Sequence, residues 1–168
     1  RASDTWTKLG FALHVTMMAA NKVAKRFQAD HVIFALEGRS WRKDYYEPYK
    51  KNRAVARGKM TEDEAEEDKL FWETYDNLTK YLSDRTNCSV IRCATAEADD
   101  IIASYAKYGE ENKINTIVYS SDKDLFQLLT GTTKIIDPMK NIEIDEEKVL
   151  EKFGVKPDKI TDVQALIG

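Results

Sequence analysis

The chain predicts an α/β fold, a mostly parallel sheet flanked by helices, and three observations carry that reading. Short apolar runs rich in Val, Ile, Phe and Tyr alternate with longer amphipathic stretches. Strands separated by helices join through right-handed crossovers, which pair them in parallel. Acidic residues stand directly after the apolar runs, where ligands bind in open α/β sheets.

Each element has its own warrant. Trp6, Leu9, Leu13, Met17, Ala20, Ala24 and Phe27 recur at spacings of three and four, predicting a first helix with one apolar face toward the core and His14 beside it. His31–Leu36 reads as a buried strand ending in Glu37-Gly38. Pro48 stops any helix before it and suits the first turn of one beginning near Tyr49. Thr61 with Glu64 forms a capping box for a long helix whose buried stripe is Leu70, Phe71, Tyr75, Leu78 and Leu82, closed by Asn87. Its acidic first turns, Glu62 to Asp68, read as a solvated face that suits the helix dipole. Ser89–Cys93 is the next strand and a helix opens at Glu97, Asp99 and Asp100. Thr116–Tyr119 is a further strand, with Ser121 or Asp122 capping a helix over Leu125–Leu129. Lys134–Asp137 is a further strand and Pro138–Asn141 a turn. A helix near Glu146–Phe153 stops at Gly154, and Pro157 with a Thr161 cap introduces another over Asp162–Ile167.

Length and composition describe one ordinary domain with room for a core, residues 1–168, free of repeats and linkers. Of its 168 residues 42% are hydrophobic and 33% charged. No apolar run approaches a membrane span, no stretch reads as a signal peptide, and no membrane role is expected. Cys88 and Cys93 do not form a CxxC and read as free thiols of a reducing compartment. His14 and His31 are too few and too dispersed for a zinc site.

Chemistry concentrates in two acidic clusters. Glu97, Asp99 and Asp100 stand where a helix begins; Asp122 and Asp124 follow a strand. Each cluster alone has an ordinary structural reading, as dipole-complementing acids or as a cap. Together, at successive strand-to-helix junctions, five converging carboxylates would repel one another unless cations neutralised them. Mg²⁺ suits a few carboxylates plus phosphate oxygens, which points to metal-dependent phosphodiester chemistry. Glu37, at a third strand's carboxyl end, joins the pattern.

The net charge of −3 hides a segregated distribution. Between Arg39 and Lys59 eight basic residues (Arg39, Arg42, Lys43, Lys50, Lys51, Arg53, Arg57, Lys59) face two acids, Asp44 and Glu47. Trp41, Tyr45, Tyr46 and Tyr49 interleave with them, so the block pairs phosphate-binding cations with surfaces for unpaired bases. A helix from Tyr49 would put Lys50 and Arg53 on one face.

These motifs resemble the nuclease core of the 5′ nuclease family, which comprises flap endonucleases, phage-type 5′→3′ exonucleases and the 5′ nuclease domain of bacterial DNA polymerase I. The resemblance lies in Phe34-Ala35-Leu36-Glu37-Gly38, Trp41-Arg42-Lys43, Tyr49-Lys50-Lys51-Asn52-Arg53, Ala96-Glu97-Ala98-Asp99-Asp100, Ser120-Ser121-Asp122-Lys123-Asp124 and the closing Ile160 to Gly168. They occur in the family's order over nearly the whole chain. The resemblance implies a PIN-like (resolvase-like) fold, with residues 39–59 forming much of a helical arch over the 5′ strand. It implies two Mg²⁺ or Mn²⁺ ions held by Glu97, Asp99, Asp100, Asp122 and Asp124, with Glu37 where the family has Asp. Lys50 and Arg53 would steer the scissile phosphate and Tyr49 pack on an unpaired base. Arg39, Trp41, Arg42, Lys43, Lys51 and Arg57 would contact DNA.

The implied partners are DNA with 5′ ends or flaps and RNA/DNA primers. The implied setting is replication or repair, by a cytoplasmic monomer in a bacterium or phage-infected host. The family's first strand, expected before Arg1, and its helix–hairpin–helix, expected after Gly168, mark this chain as trimmed at both ends. Two other classes fit the same residues: a PIN-type ribonuclease, and a non-catalytic nucleic-acid-binding module with structural acids.

Overall fold

A computed structural model describes residues 2–52, 55 and 58–167, and the chain divides into two compact units, Arg1–Ala96 and Glu97–Gly168. In the first unit α1 spans Ala2–Phe27, β1 Ile33–Leu36, α2 Arg42–Tyr45, α3 Glu62–Arg85 and β2 Ser89–Arg92. β1 and β2 pair in parallel, with Ile33 opposite Ser89 and Leu36 opposite Arg92, so both strands end side by side. His31 Nε2 lies 2.8 Å from Ser89 Oγ at the start of the pair, a structural role for that histidine.

α3 begins as its sequence requires. The Glu64 N–H donates to Thr61 Oγ1 at 3.3 Å while Glu64 Oε2 accepts from the Thr61 N–H at 2.8 Å, the reciprocal capping box. Leu82 is its fully buried anchor, and Leu70, Tyr75 and Leu78 are half-buried. Phe71 is exposed instead of buried. The helix ends at Arg85, two residues before Asn87, with the Thr86 N–H donating to Leu82 O.

The α1 stripe is only partly core. Leu9 is buried and Leu13, Met17, Ala20, Ala24 and Phe27 are half-buried, but Trp6 is exposed, as are Phe11, Val15 and Met18. Periodicity assigns the face; how far α3 reaches along it sets the burial.

The second unit holds the larger core. α4 (Ala98–Asn112) leads to β3 (Thr116–Tyr119), a 3₁₀ helix (Lys123–Leu128), β4 (Thr133–Asp137), β5 (Ile142–Ile144), α5 (Glu146–Phe153), a 3₁₀ turn (Pro157–Lys159) and α6 (Ile160–Ile167). β3 pairs in parallel with β4, and β4 antiparallel with β5. Val118, Leu125, Phe126, Ile135, Ile144, Val149 and Ile160 form one buried cluster. Gly109 lets α4 lie close to β3, because a Cβ there would stand 2.3 Å from Thr116 Oγ1.

Two local expectations change and one strand is added. The sequence assigns no element to residues 142–144: three residues after a left-handed Asn141 carry too little pattern, and pairing with β4 makes them β5. The helix expected over Leu125–Leu129 is the 3₁₀ helix Lys123–Leu128. Thr161 lies inside α6 and donates to Gln127 Oε1 at 2.9 Å instead of capping. The α/β class and the two parallel pairings follow the sequence.

Candidate functional site

In the first unit the site residues cluster where β1 and β2 end. Gly38 is obligatory there, since a Cβ would sit 1.9 Å from Cys93 O and 2.5 Å from Ala96 O. Ser40, 2% exposed, takes the Arg42 N–H on its hydroxyl at 3.3 Å, and the Trp41 N–H donates to Thr95 O at 3.1 Å. The loop leaving β1 is thereby clamped to the loop leaving β2, with Glu37 at the clamp's edge.

The basic segment is more neutralised than its composition suggests. Arg39 grips Asp44 with both guanidinium nitrogens, Nη1 to Oδ2 at 3.1 Å, and Lys51 meets Glu47 at 3.0 Å. Lys50 Nζ lies 3.9 Å from Glu37 Oε1 and 5.3 Å from the centre of the Tyr49 ring. The Arg42 guanidinium stacks 4.8 Å over Trp41, and Lys43 lies exposed on α2.

Lys50 does not start a helix. Its φ is +54°, left-handed, so the turn around Pro48 ends at Lys50 and helical backbone resumes at Lys51 and Asn52. The shared helix face expected for Lys50 and Arg53 therefore fails at Lys50, because the proline-led turn reverses the chain before the helix. Arg53 and Arg57 lie outside the described residues, as does part of the 39–59 arch.

In the second unit Glu97 stands immediately before α4 and is 5% exposed. Its backbone N–H donates to Asp100 Oδ2 at 3.0 Å, and Asp99 faces solvent. After β3, Asp122 Oδ1 accepts the Asp124 N–H at 2.9 Å, the cap expected there. Asp124 Oδ1 accepts from Gln164 Nε2 at 2.6 Å. Among the described residues no three His, Cys, Asp or Glu side chains stand together as a metal site. The two clusters occupy the expected junctions, where Asp100 and Asp122 accept local backbone N–H groups and Asp124 meets α6.

Sequence reading missed one feature. A cleft of about 580 Å³ beyond the ends of β1 and β2 is lined by Glu37, Asp68, Phe71, Trp72, Tyr75 and Arg92. Burial raises the Tyr75 phenol above the ordinary tyrosine range; Arg92 opposes this, and Asp76 and Glu37 add to it. Only the strand register brings these residues together, by setting Arg92 beside Leu36 and hence near Glu37.

Residues 5–154 match the family described as the 5′-3′ exonuclease, N-terminal resolvase-like domain. The chain belongs to this family. Within it, this resolvase-like domain is 36% identical over 137 residues to a DNA polymerase I of Rhizobium leguminosarum, covering 82% of this chain and 12% of the relative. It is 28% identical over 153 residues to flap endonuclease Xni of Pseudoalteromonas translucida, covering 89% and 54%. The domain thus spans about half or less of these relatives. Among solved structures, the T5 D15 protein co-crystallized with metal ions aligns with a TM-score of 0.75 at 23% identity, over 91% of this chain and 60% of that one. The T5 D15 flap endonuclease with DNA and metal ions aligns at 0.70 and 23%, over 85% and 53%. These likenesses establish the PIN-type, resolvase-like fold.

Proposed function

We propose that this domain is the nuclease core of a divalent-metal-dependent 5′ nuclease that hydrolyses DNA phosphodiesters at 5′ ends or 5′ flaps. The observation that carries the reading is the family match over residues 5–154, which includes both acidic junctions and the basic segment. Relatives named as exonucleases, flap endonucleases and DNA polymerase I, and a T5 relative bound to DNA and metal ions, support the substrate and metal dependence. On this reading residues 1–168 act as one functional domain, a monomer in a bacterial or phage-infected cytoplasm. It processes flaps and primer junctions in replication or repair.

The donor set fits a hard cation: the acids at the two junctions offer only oxygen, which Mg²⁺ and Mn²⁺ prefer. Glu97, Asp99, Asp100, Asp122 and Asp124 are the proposed ligands, two ions the proposed number, and Glu37 a further candidate. Binding would trade the caps on Asp100 and Asp122 for ion contacts, and a cap is worth only about 1 kcal/mol. A bound divalent ion supplies hydroxide at neutral pH and offsets charge on the phosphate.

The rest falls to this chain's own side chains. Lys50, held over Tyr49 and beside Glu37, presents an ammonium to the scissile phosphate, and Arg53 can take two of its oxygens. Tyr49 offers its ring to an unpaired base. Arg39, Trp41, Arg42, Lys43, Lys51 and Arg57 track the strand.

The test is cleavage in Mg²⁺ of a 5′-flap DNA against single-stranded RNA, beside a variant carrying Asp99→Asn and Asp122→Asn. The expected result is flap cleavage that the double variant loses. Preferential RNA cleavage would favour a ribonuclease, and DNA binding without cleavage a binding module.

A further inference from the structure

We infer that the cleft at the carboxyl ends of β1 and β2 is a pocket for one unpaired nucleobase of single-stranded DNA, with Trp72 as its stacking surface. The inference rests on the nuclease reading and adds a subsite to it. Phe71, Trp72 and Tyr75 occupy one stretch of α3 in mutual contact. Phe71 and Tyr75 lie nearly parallel at 15°, with Trp72 edge-on to both at 83° and 84°. Phe71 and Trp72 stay 42% and 39% exposed, a costly display of apolar surface beside a cleft of about 580 Å³, within the range of small-ligand sites.

The polar lining selects the occupant. Glu37 and Asp68 are acceptors that repel phosphate, so the cleft does not suit the backbone of a strand. The same carboxylates accept hydrogen bonds from the amino groups of adenine, cytosine or guanine. Arg92 supplies N–H donors to base carbonyls while held by Asp76 at 3.2 Å, and the Tyr75 hydroxyl lines the same cleft. A flat ring with amino and carbonyl edges satisfies all of these. Lys50, 3.9 Å from Glu37, stands at the rim where the phosphate attached to that base would pass.

The experiment compares duplex DNA carrying a short unpaired 5′ extension with the blunt duplex, at one fixed salt concentration because phosphate contacts are salt-sensitive. Trp72→Ala is expected to weaken binding of the extended DNA about tenfold, in keeping with loss of one base–aromatic stack. Binding of the blunt duplex should stay within about twofold, and Trp72→Phe should retain most of the affinity. An abasic residue in the extension should weaken the wild-type protein to the same degree and add nothing to Trp72→Ala. 2-Aminopurine at that position should lose emission on binding the wild type but not Trp72→Ala. Wild-type protein that cleaves flaps while Trp72→Ala binds the extended DNA unchanged would overturn the pocket and leave the nuclease reading standing. A wild type that neither binds nor cleaves DNA would overturn both.

Discussion

Lys50 joins strain to position. A left-handed lysine costs about 1–2 kcal/mol relative to ordinary backbone, and this one lies beside Glu37 at the edge of the cleft. Lys50→Gly should therefore leave folding stability within about 1 kcal/mol of the wild type while single-turnover cleavage falls, whereas Lys50→Val should lose both. Thermal melts and single-turnover rates on the same preparations check this. Lys50→Val melting with the wild type would remove the strain argument.

Tyr75 gives the pH dependence at this scale. Its folded value is raised above the unfolded value of about 10, so its contribution is fully present below pH 10 and is lost as pH climbs toward the folded value. Melting curves between pH 9 and 11 should fall more steeply for the wild type than for Tyr75→Phe. Parallel curves would show that the phenol does not ionise on unfolding.

Among elements, α3 shows how a helix start can be written in four residues. Thr61 and Glu64 satisfy each other's backbone N–H groups, so Thr61→Ala should cost about 1 kcal/mol in urea unfolding with an unchanged m-value. The loop after β1 is less forgiving. Gly38→Ala puts a methyl group into two carbonyl oxygens that belong to backbone, and a cost of about 3 kcal/mol is expected. The readout is the urea midpoint, and an unchanged midpoint would mean the loop clamp yields freely.

At the scale of the whole molecule, ligand linkage reads the acidic junctions. An ion that binds only the folded chain adds about 2.7 kcal/mol at one hundred times its dissociation constant. Saturating Mn²⁺ or Mg²⁺ should raise the melting temperature, and the Asp99→Asn, Asp122→Asn variant should lose the shift. A melt of the wild type unmoved by either ion would dissociate the acids from metal.

Elements with strong local signals were legible in the chain. Thr61 and Glu64 named the start of α3, Gly154 ended α5 at φ +71°, and the β-branched run at Thr116–Tyr119 was a strand residue for residue. Those signals are short-range, carried by hydrogen bonds and dihedral preferences within a few residues. The acids were legible as residues at strand-to-helix junctions, because crossover topology places those junctions in sequence order. Their side-chain directions were not, since a carboxylate chooses between a cap, a glutamine such as Gln164 and an ion by what surrounds it. The exposure of Phe71 and Trp72, the antiparallel β5 and the placing of Arg92 beside Glu37 were likewise decided by tertiary structure. Periodicity assigns a residue to a face, and only the packed neighbours decide whether that face is covered.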